Sequence, residues 1–206
     1  MIVGIILAAG ASARMARPKA LLPIGHDTFV TRLVRTLSSA GLDDLVIVAG
    51  DDTDAVRSAV TAAGLRARVV ENTRRAEGQL SSLLTGLALA DRLGVEAALV
   101  HLVDIPLVRP ATVAAVLEAF RASNAPVVRP AVGNRHGHPV LFARRVFDDL
   151  RRADPSAGAR SVIRALAGQV LDVAVDDEGA CRDFDTPEDY ADLPPDASDG
   201  GASPPG

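Results

Sequence analysis

Apolar residues along this chain fall into two alternating patterns. Some are short Val-, Ile- and Leu-rich runs of strand length. Between them, apolar positions recur every three or four residues, as on one face of a helix. The run 2–7 predicts a buried strand, and Val30, Leu33, Val34 and Leu37 predict a helix after it. A second strand is expected at 45–49, a helix at 55–63 closed by Gly64, and a third short strand at 67–71. Leu80, Leu83, Leu84 and Leu87 mark a helix over 79–93, followed by a strongly apolar strand at 97–103. Val113, Val116, Leu117 and Phe120 mark another helix, with Pro110 in its first turn. Strands are expected at 126–130 and 139–142, joined by the glycine-containing stretch 133–138. Helices follow at 143–152 and 159–167, a last strand at 170–175, and a short helix after Pro187.

Alternating strands and helices imply an α/β architecture: a single domain with a mostly parallel sheet and helices on both faces. The chain has 206 residues, the length of one domain at roughly 100–200 residues each. The domain is expected over 1–193. The segment 194–206 is rich in Pro, Gly, Ser and Asp and is expected to be a disordered tail.

Composition narrows the function classes. Hydrophobic residues make up 48% and charged residues 23%, an ordinary soluble balance. A net charge of -4 argues against nucleic acid as the main partner. The single cysteine, Cys181, excludes an intramolecular disulfide and a multi-cysteine zinc site. No apolar run reaches membrane-spanning length, so no membrane partner is expected. The N-terminal run precedes Ala11-Ser12-Ala13, faintly like a signal cleavage site, but lacks a preceding basic region; a buried first strand in a cytoplasmic protein is the expectation.

Ligands of a parallel α/β sheet bind beyond the carboxyl ends of its strands. Two features fall on that edge. One is the small-residue loop from Ala8, Ala9 and Gly10 to Lys19, whose backbone can approach a ligand closely and whose N–H groups suit phosphate oxygens. Arg14, Arg17 and Lys19 add cations to it, and Lys19 is the only lysine among 22 basic residues. The loop has neither the G-x-G-x-x-G nor the G-x-x-x-x-G-K spacing. The other feature is Asp104, at the end of the strand 97–103, a hard oxygen ligand suited to Mg²⁺ held together with phosphates. Near the C-terminus, Asp183 and Asp185 share a face if that segment is extended. Thr186 and Asp189, with Pro187 between them, read as a helix cap. His101 reads as a core residue. His138, between Gly137 and Pro139, has little local structural reason to be histidine and suits hydrogen bonding to a ligand.

Five segments, taken in order, carry a resemblance. They are Leu7-Ala8-Ala9-Gly10-x-Ser12-x-Arg14-Met15-x-x-Pro18-Lys19 followed by Leu21-Leu22-Pro23; Gly78-Gln79-Leu80-Ser81-Ser82-Leu83; Asp104-Ile105-Pro106; Gly133-x-Arg135-His136-Gly137-His138-Pro139-Val140-Leu141-Phe142; and Asp183-Phe184-Asp185-Thr186-Pro187-Glu188-Asp189. Together they resemble the MobA-like nucleotidyltransferases, and within them the molybdenum cofactor cytidylyltransferase branch. The resemblance implies a Rossmann-like nucleotidyltransferase fold. It also implies a transfer of CMP from CTP to a phosphorylated acceptor, molybdopterin cofactor, with Mg²⁺ and release of pyrophosphate. Under it, Leu7, Ala8, Ala9 and Gly10 meet the nucleoside, with Asn72, Gly78 and Ser82 also on the nucleotide side. Arg14 and Lys19 hold the triphosphate and, with Asp104, form the catalytic group. Asp104 binds the metal with Asp183 or Asp185, and Gly137 and His138 face the acceptor. A molybdenum-containing oxidase is the implied recipient of the product.

The chain departs from the family pattern at Ala16, where glycine is usual, at Ile105, where glutamine often stands, and at Gln79-Leu80. These positions bear on nucleotide preference and acceptor identity. Preference for CTP rests on Ala9, whose methyl narrows a base pocket. GTP, a sugar or polyol phosphate acceptor, and a non-catalytic pterin-cofactor chaperone for an apo-oxidase stay open as alternatives.

Overall fold

The first apolar run becomes strand β1, Ile2–Ala8, buried along its whole length. This placement, and all others below, comes from a computed structural model describing residues 1–10 and 17–193. The expected tail 194–206 and the candidate Arg14 lie outside the described residues. After β1 come a small β2–β3 hairpin (Pro23–Ile24 and Asp27–Thr28), α1 (Phe29–Ser39), β4 (Leu45–Ala49), α2 (Thr53–Ala62), β5 (Arg68–Glu71) and α3 (Gln79–Ala90). The second half holds β6 (Ala97–Leu102), α4 (Pro110–Ser123), β7 (Val127–Val132), β8 (Arg135–His136) and β9 (Val140–Ala143). It ends with α5 (Phe147–Arg152), α6 (Ala159–Ala165), β10 (Val170–Ala174) and α7 (Pro187–Ala191).

The main sheet runs in the order β10-β7-β9-β6-β1-β4-β5, with β8 paired to β7. β1 is parallel to β4 and β6, β4 to β5, and β10 to β7. β9 lies between β6 and β7 and runs against both. The sheet is therefore mixed but mostly parallel. Strand order reverses between β1 and β6, which makes the edge beyond their carboxyl ends the topological switch point.

Alternation along β1 supplies both core layers. Ile2, Ile6 and Ala8 pack with α1, α2 and α4 on one face, and Val3, Ile5 and Leu7 with α3, α5 and α6 on the other. α3 approaches β1 so closely that a Cβ at Gly86 would stand 2.6 Å from Ile5 Cγ2.

The predicted helix over 79–93 stops at Ala90, and Leu93 is left 96% exposed with no surface to cover. The helix expected at 143–152 begins instead with a 3-10 turn, Arg144–Val146. The Thr186 cap forms as a capping box with Asp189. The cap of α4 comes from far away in sequence. Buried Asp177 accepts from Arg109 N (2.9 Å) and Thr112 Oγ1 (2.6 Å). Among the described residues no helix is long and apolar enough to cross a membrane.

Candidate active site

β1 runs out at Ala8, so Ala9 and Gly10 lie on the switch-point edge. β6 runs out beside it, and the chain turns through Val103–Ile105. That turn is held from four sides. Val103 N donates to Leu7 O (3.1 Å), and Ile105 N to Leu102 O (3.2 Å). His101 Nε2 hydrogen-bonds Ile105 O (2.8 Å), and Phe184 N donates to Asp104 O (2.8 Å). His101 is a fully buried core residue.

The turn presents Asp104. Its Oδ2 lies 3.8 Å from Lys19 Nζ, while its Oδ1 is buried with no hydrogen-bond partner among the described residues. Burial pushes the Asp104 carboxyl above the usual range. Lys19 opposes that shift, and Asp185 and Asp183 add to it by like-charge repulsion. Lys19 opens a 3-10 turn, Lys19–Leu21, and is ion-paired with Asp185 as well. The segment around Phe184 is extended. Phe184 is buried edge-on against Phe29, ring centroids 6.0 Å apart, and leaves Asp183 and Asp185 both exposed on its other side. Of the two, Asp185 is the one that reaches Lys19.

Among the described residues no three His, Cys, Asp or Glu side chains converge as a ready metal cage. Mg²⁺ does not need one, because it keeps several waters and binds one or two carboxylates plus substrate phosphates. A buried carboxylate oxygen lacking a partner, with a second carboxylate held nearby by the same lysine, fits such an ion.

A cavity of about 580 Å³ opens beside this group. Leu7, Ala9, Gly10, Lys19, Gly78, Ser82 and Asp104 line it. The Ala8 side chain faces the opposite core layer, so its backbone alone belongs to this edge. Gly78 starts α3 at φ +97°, a conformation that favours glycine. Asn72, expected on the nucleotide side, is not among the residues lining this cavity. It is buried behind the wall, where Nδ2 donates to Ser81 Oγ (2.8 Å) and Ser82 Oγ (2.9 Å) and Oδ1 accepts from Arg74 N (2.9 Å). Its amide is fully engaged in tying β5 to the start of α3. Arg75 lines the cavity and was not foreseen. It passes over Gly50, where a Cβ would stand 3.1 Å from Arg75 Cδ, and is held by both oxygens of Asp51. In sequence, Arg74-Arg75 reads only as a solvated pair.

A second cavity, about 630 Å³, shares Leu7, Gly78, Gln79 and Leu102 with the first. Gly137 and His138 stand on its wall. Gly137 has a steric reason to be glycine, since a Cβ would lie 2.4 Å from Ala180 O. His138 N donates to the same carbonyl (2.8 Å). The His138 ring meets the His101 ring edge-on at 6.0 Å and leaves Nδ1 buried without a partner. Burial brings His138 down to about 4 and His101 to about 3, so both are neutral near pH 7.

The MobA-like NTP transferase domain family matches residues 4–170. Nicotine blue oxidoreductase of Paenarthrobacter nicotinovorans is 34% identical over 91% of this chain and 93% of its own. A probable molybdenum cofactor guanylyltransferase of Mycobacterium avium is 30% identical over 80% of each. Among solved structures, Rv0371c of Mycobacterium tuberculosis superposes with a TM-score of 0.76 at 32% identity, covering 92% of this chain and 95% of its own. Its complex with manganese superposes with a TM-score of 0.72 at 31% identity, covering 92% and 96%.

Proposed function

The chain belongs to the MobA-like NTP transferase family, and from that premise we propose that it moves CMP from CTP to a phosphorylated acceptor, with molybdopterin cofactor as the acceptor. The observation that carries this reading is the buried Oδ1 of Asp104, which has no hydrogen-bond partner among the described residues and stands beside Lys19 on the wall of the first cavity, with the second cavity adjoining. One cavity takes the nucleotide and the other the acceptor. In the transfer, an acceptor phosphate oxygen attacks the α-phosphorus of CTP, the bond to the β-phosphate oxygen breaks, and pyrophosphate leaves. The acceptor phosphate is already ionised at neutral pH, so no protein nucleophile or base is required, and positioning supplies much of the catalysis.

Each residue has a task in bringing two anions together. Lys19 sets its ammonium against the triphosphate and the charge that develops on the leaving group. Arg14 is assigned to the triphosphate as well. The backbone of 7–10, with Gly78 and Ser82, borders the nucleoside, and the methyl of Ala9 favours a pyrimidine. Asp104, with Asp185 ahead of Asp183, holds Mg²⁺, which when bound neutralises phosphate charge. The manganese complex of the Mycobacterium tuberculosis relative supports a divalent ion in this family. Neutral His138, with Gly137, lines the wall that faces the acceptor. A molybdenum-containing oxidase is the recipient of the product.

Two competing readings have specific support. The Mycobacterium avium relative is named for guanylyl transfer, which makes GTP the rival nucleotide. The Paenarthrobacter relative is named as an oxidoreductase, which makes a redox reaction on a bound heterocycle the rival chemistry. The deciding experiment is a thermal-shift panel with CTP, GTP, ATP and UTP, with and without Mg²⁺, followed by pyrophosphate release with molybdopterin. A ligand at 100 times its Kd stabilises by about 2.7 kcal/mol. A Mg²⁺-dependent shift specific to CTP is expected. A GTP-specific shift would replace the nucleotide. No shift with any nucleotide would favour a pterin-binding chaperone. A sugar or polyol phosphate that releases pyrophosphate where molybdopterin does not would replace the acceptor.

A further inference from the structure

The second cavity carries charge that phosphate transfer alone does not use. Among the described residues its lining includes three arginines, Arg129, Arg160 and Arg164, and no carboxylate. Only one of the three is answered by an acid. Arg129 Nε donates to Asp172 Oδ1 (2.6 Å), and the other oxygen of Asp172 lies 3.2 Å from His136 Nε2. Arg160 and Arg164 stand one turn apart on α6, on the same face. Among the described residues neither has an acidic partner. The charge of Arg160 reaches His138 and helps to keep that ring neutral.

This charge sits apart from the reacting group. Lys19 and Asp104 line the first cavity and not the second, while Arg160 and Arg164 line the second and not the first. A single phosphate poised for attack beside Lys19 and Asp104 leaves the α6 arginines unanswered. Between the two ends the wall is apolar, with Val140 and Phe142 of β9.

We infer that the α6 end of the second cavity binds a second anionic group of the acceptor, an oxyanion separate from the phosphate that reacts. Guanidinium forks suit a phosphate or carboxylate in two-point contact. The acceptor then carries an anionic group besides the phosphate that reacts. This inference rests on the second cavity being the acceptor side.

The test uses inorganic phosphate as the probe. The whole chain is titrated with phosphate at constant ionic strength, while the arginine Nε–H resonances are followed by NMR. The titration is repeated with Mg²⁺ and a non-hydrolysable CTP analogue present at saturation, to fill the first cavity. Saturable shifts at Arg160 and Arg164 are expected in both conditions. Arg160→Gln/Arg164→Gln is expected to weaken phosphate binding at least tenfold and to leave the thermal shift from the CTP analogue unchanged. Arg66→Gln/Arg121→Gln, the same charge change away from the cavity, is expected to leave phosphate binding intact. No saturable shift at Arg160 and Arg164, or equal affinity in the Arg160→Gln/Arg164→Gln variant, overturns the inference. Phosphate binding at α6 without any binding of the CTP analogue would remove the cytidylyl reading and leave the anion site standing.

Discussion

The two cavities share a wall but are built and charged differently. The first lies on the carboxyl ends of β1 and β6, and its lining mixes Lys19 and Arg75 with Asp104. Its cations are already opposed by carboxylates, Lys19 by Asp104 and Asp185, Arg75 by Asp51. The second lies against β9 and α6, and the charges on its lining are all positive. The difference is chemical. A site that assembles a metal and a polyphosphate needs both signs, because the ion and the anions must be held together. A site that only orients an anionic partner needs one sign and a neutral surface beside it. The turn Glu178–Cys181 packs between the chain just past Asp104 and the His138 segment. Gly179 packs on Leu107 O just past the Asp104 turn, and Ala180 O receives His138 N.

The largest effect that sharpens this contrast falls on Lys19. Lys19→Ala is expected to reduce kcat for pyrophosphate release by about 10²–10³, the range for losing one preorganised charge at a transition state. Retained turnover would break the assignment of chemistry to the first cavity.

Acid pH is expected to strike the second cavity. His138 and His101 sit at about 4 and about 3, below the ordinary value of 6.5. Their contribution is complete above pH 6.5. Below it, the unfolded chain takes up protons that the folded chain refuses, and stability falls by up to about 1.4 kcal/mol per pH unit for each ring. For His138 this loss runs down to about pH 4, and for His101 to about pH 3. Urea unfolding from pH 7 to 4.5 measures the slope, and His138→Asn is expected to flatten it.

The clamp between the cavities should respond next. Asp177→Ala leaves Arg109 N–H, Thr112 Oγ1–H and Gly179 N–H without their acceptor. A loss of about 2 kcal/mol is expected in urea unfolding, and both cavities should weaken together. An effect confined to one would separate them.

The smallest effect has the opposite sign. Burial holds the Asp104 carboxyl above its ordinary value, so at neutral pH its charge weighs against the fold. Asp104→Asn is expected to stabilise the ligand-free protein by about 1 kcal/mol in urea unfolding at pH 7. The gain should vanish as pH falls through the raised value toward the ordinary one. Destabilisation at pH 7 would mean that the Lys19–Asp104 contact outweighs the burial.

Local pattern made part of the candidate site readable. Asp104 was placed because a charge follows an apolar strand. Asp183 and Asp185 were placed because alternate residues of an extended segment share a face, and buried Phe184 between them obeys the same rule. Thr186, Pro187 and Asp189 capped a helix as their spacing required. The wall position of Asn72 is not legible, because a polar residue after a strand looks the same whether it meets a ligand or supports a wall. Arg75, Arg160 and Arg164 were passed over for the same reason, since an arginine in a chain rich in arginine is silent until its neighbours are known.

Local sequence pattern was enough for the alternation of strands and helices and for the burial of β1, while the ends of β1 and β6 each fall one residue from where the pattern puts them. Backbone periodicity and local capping depend only on neighbours a few positions away. The tertiary structure alone decided that β9 runs against its neighbours, that Asp177 caps a helix beginning 67 residues earlier at Pro110, and that three arginines meet on one cavity. Those outcomes rest on contacts between segments far apart in the chain, where the free energy comes from shared burial and charge pairing that no local pattern encodes.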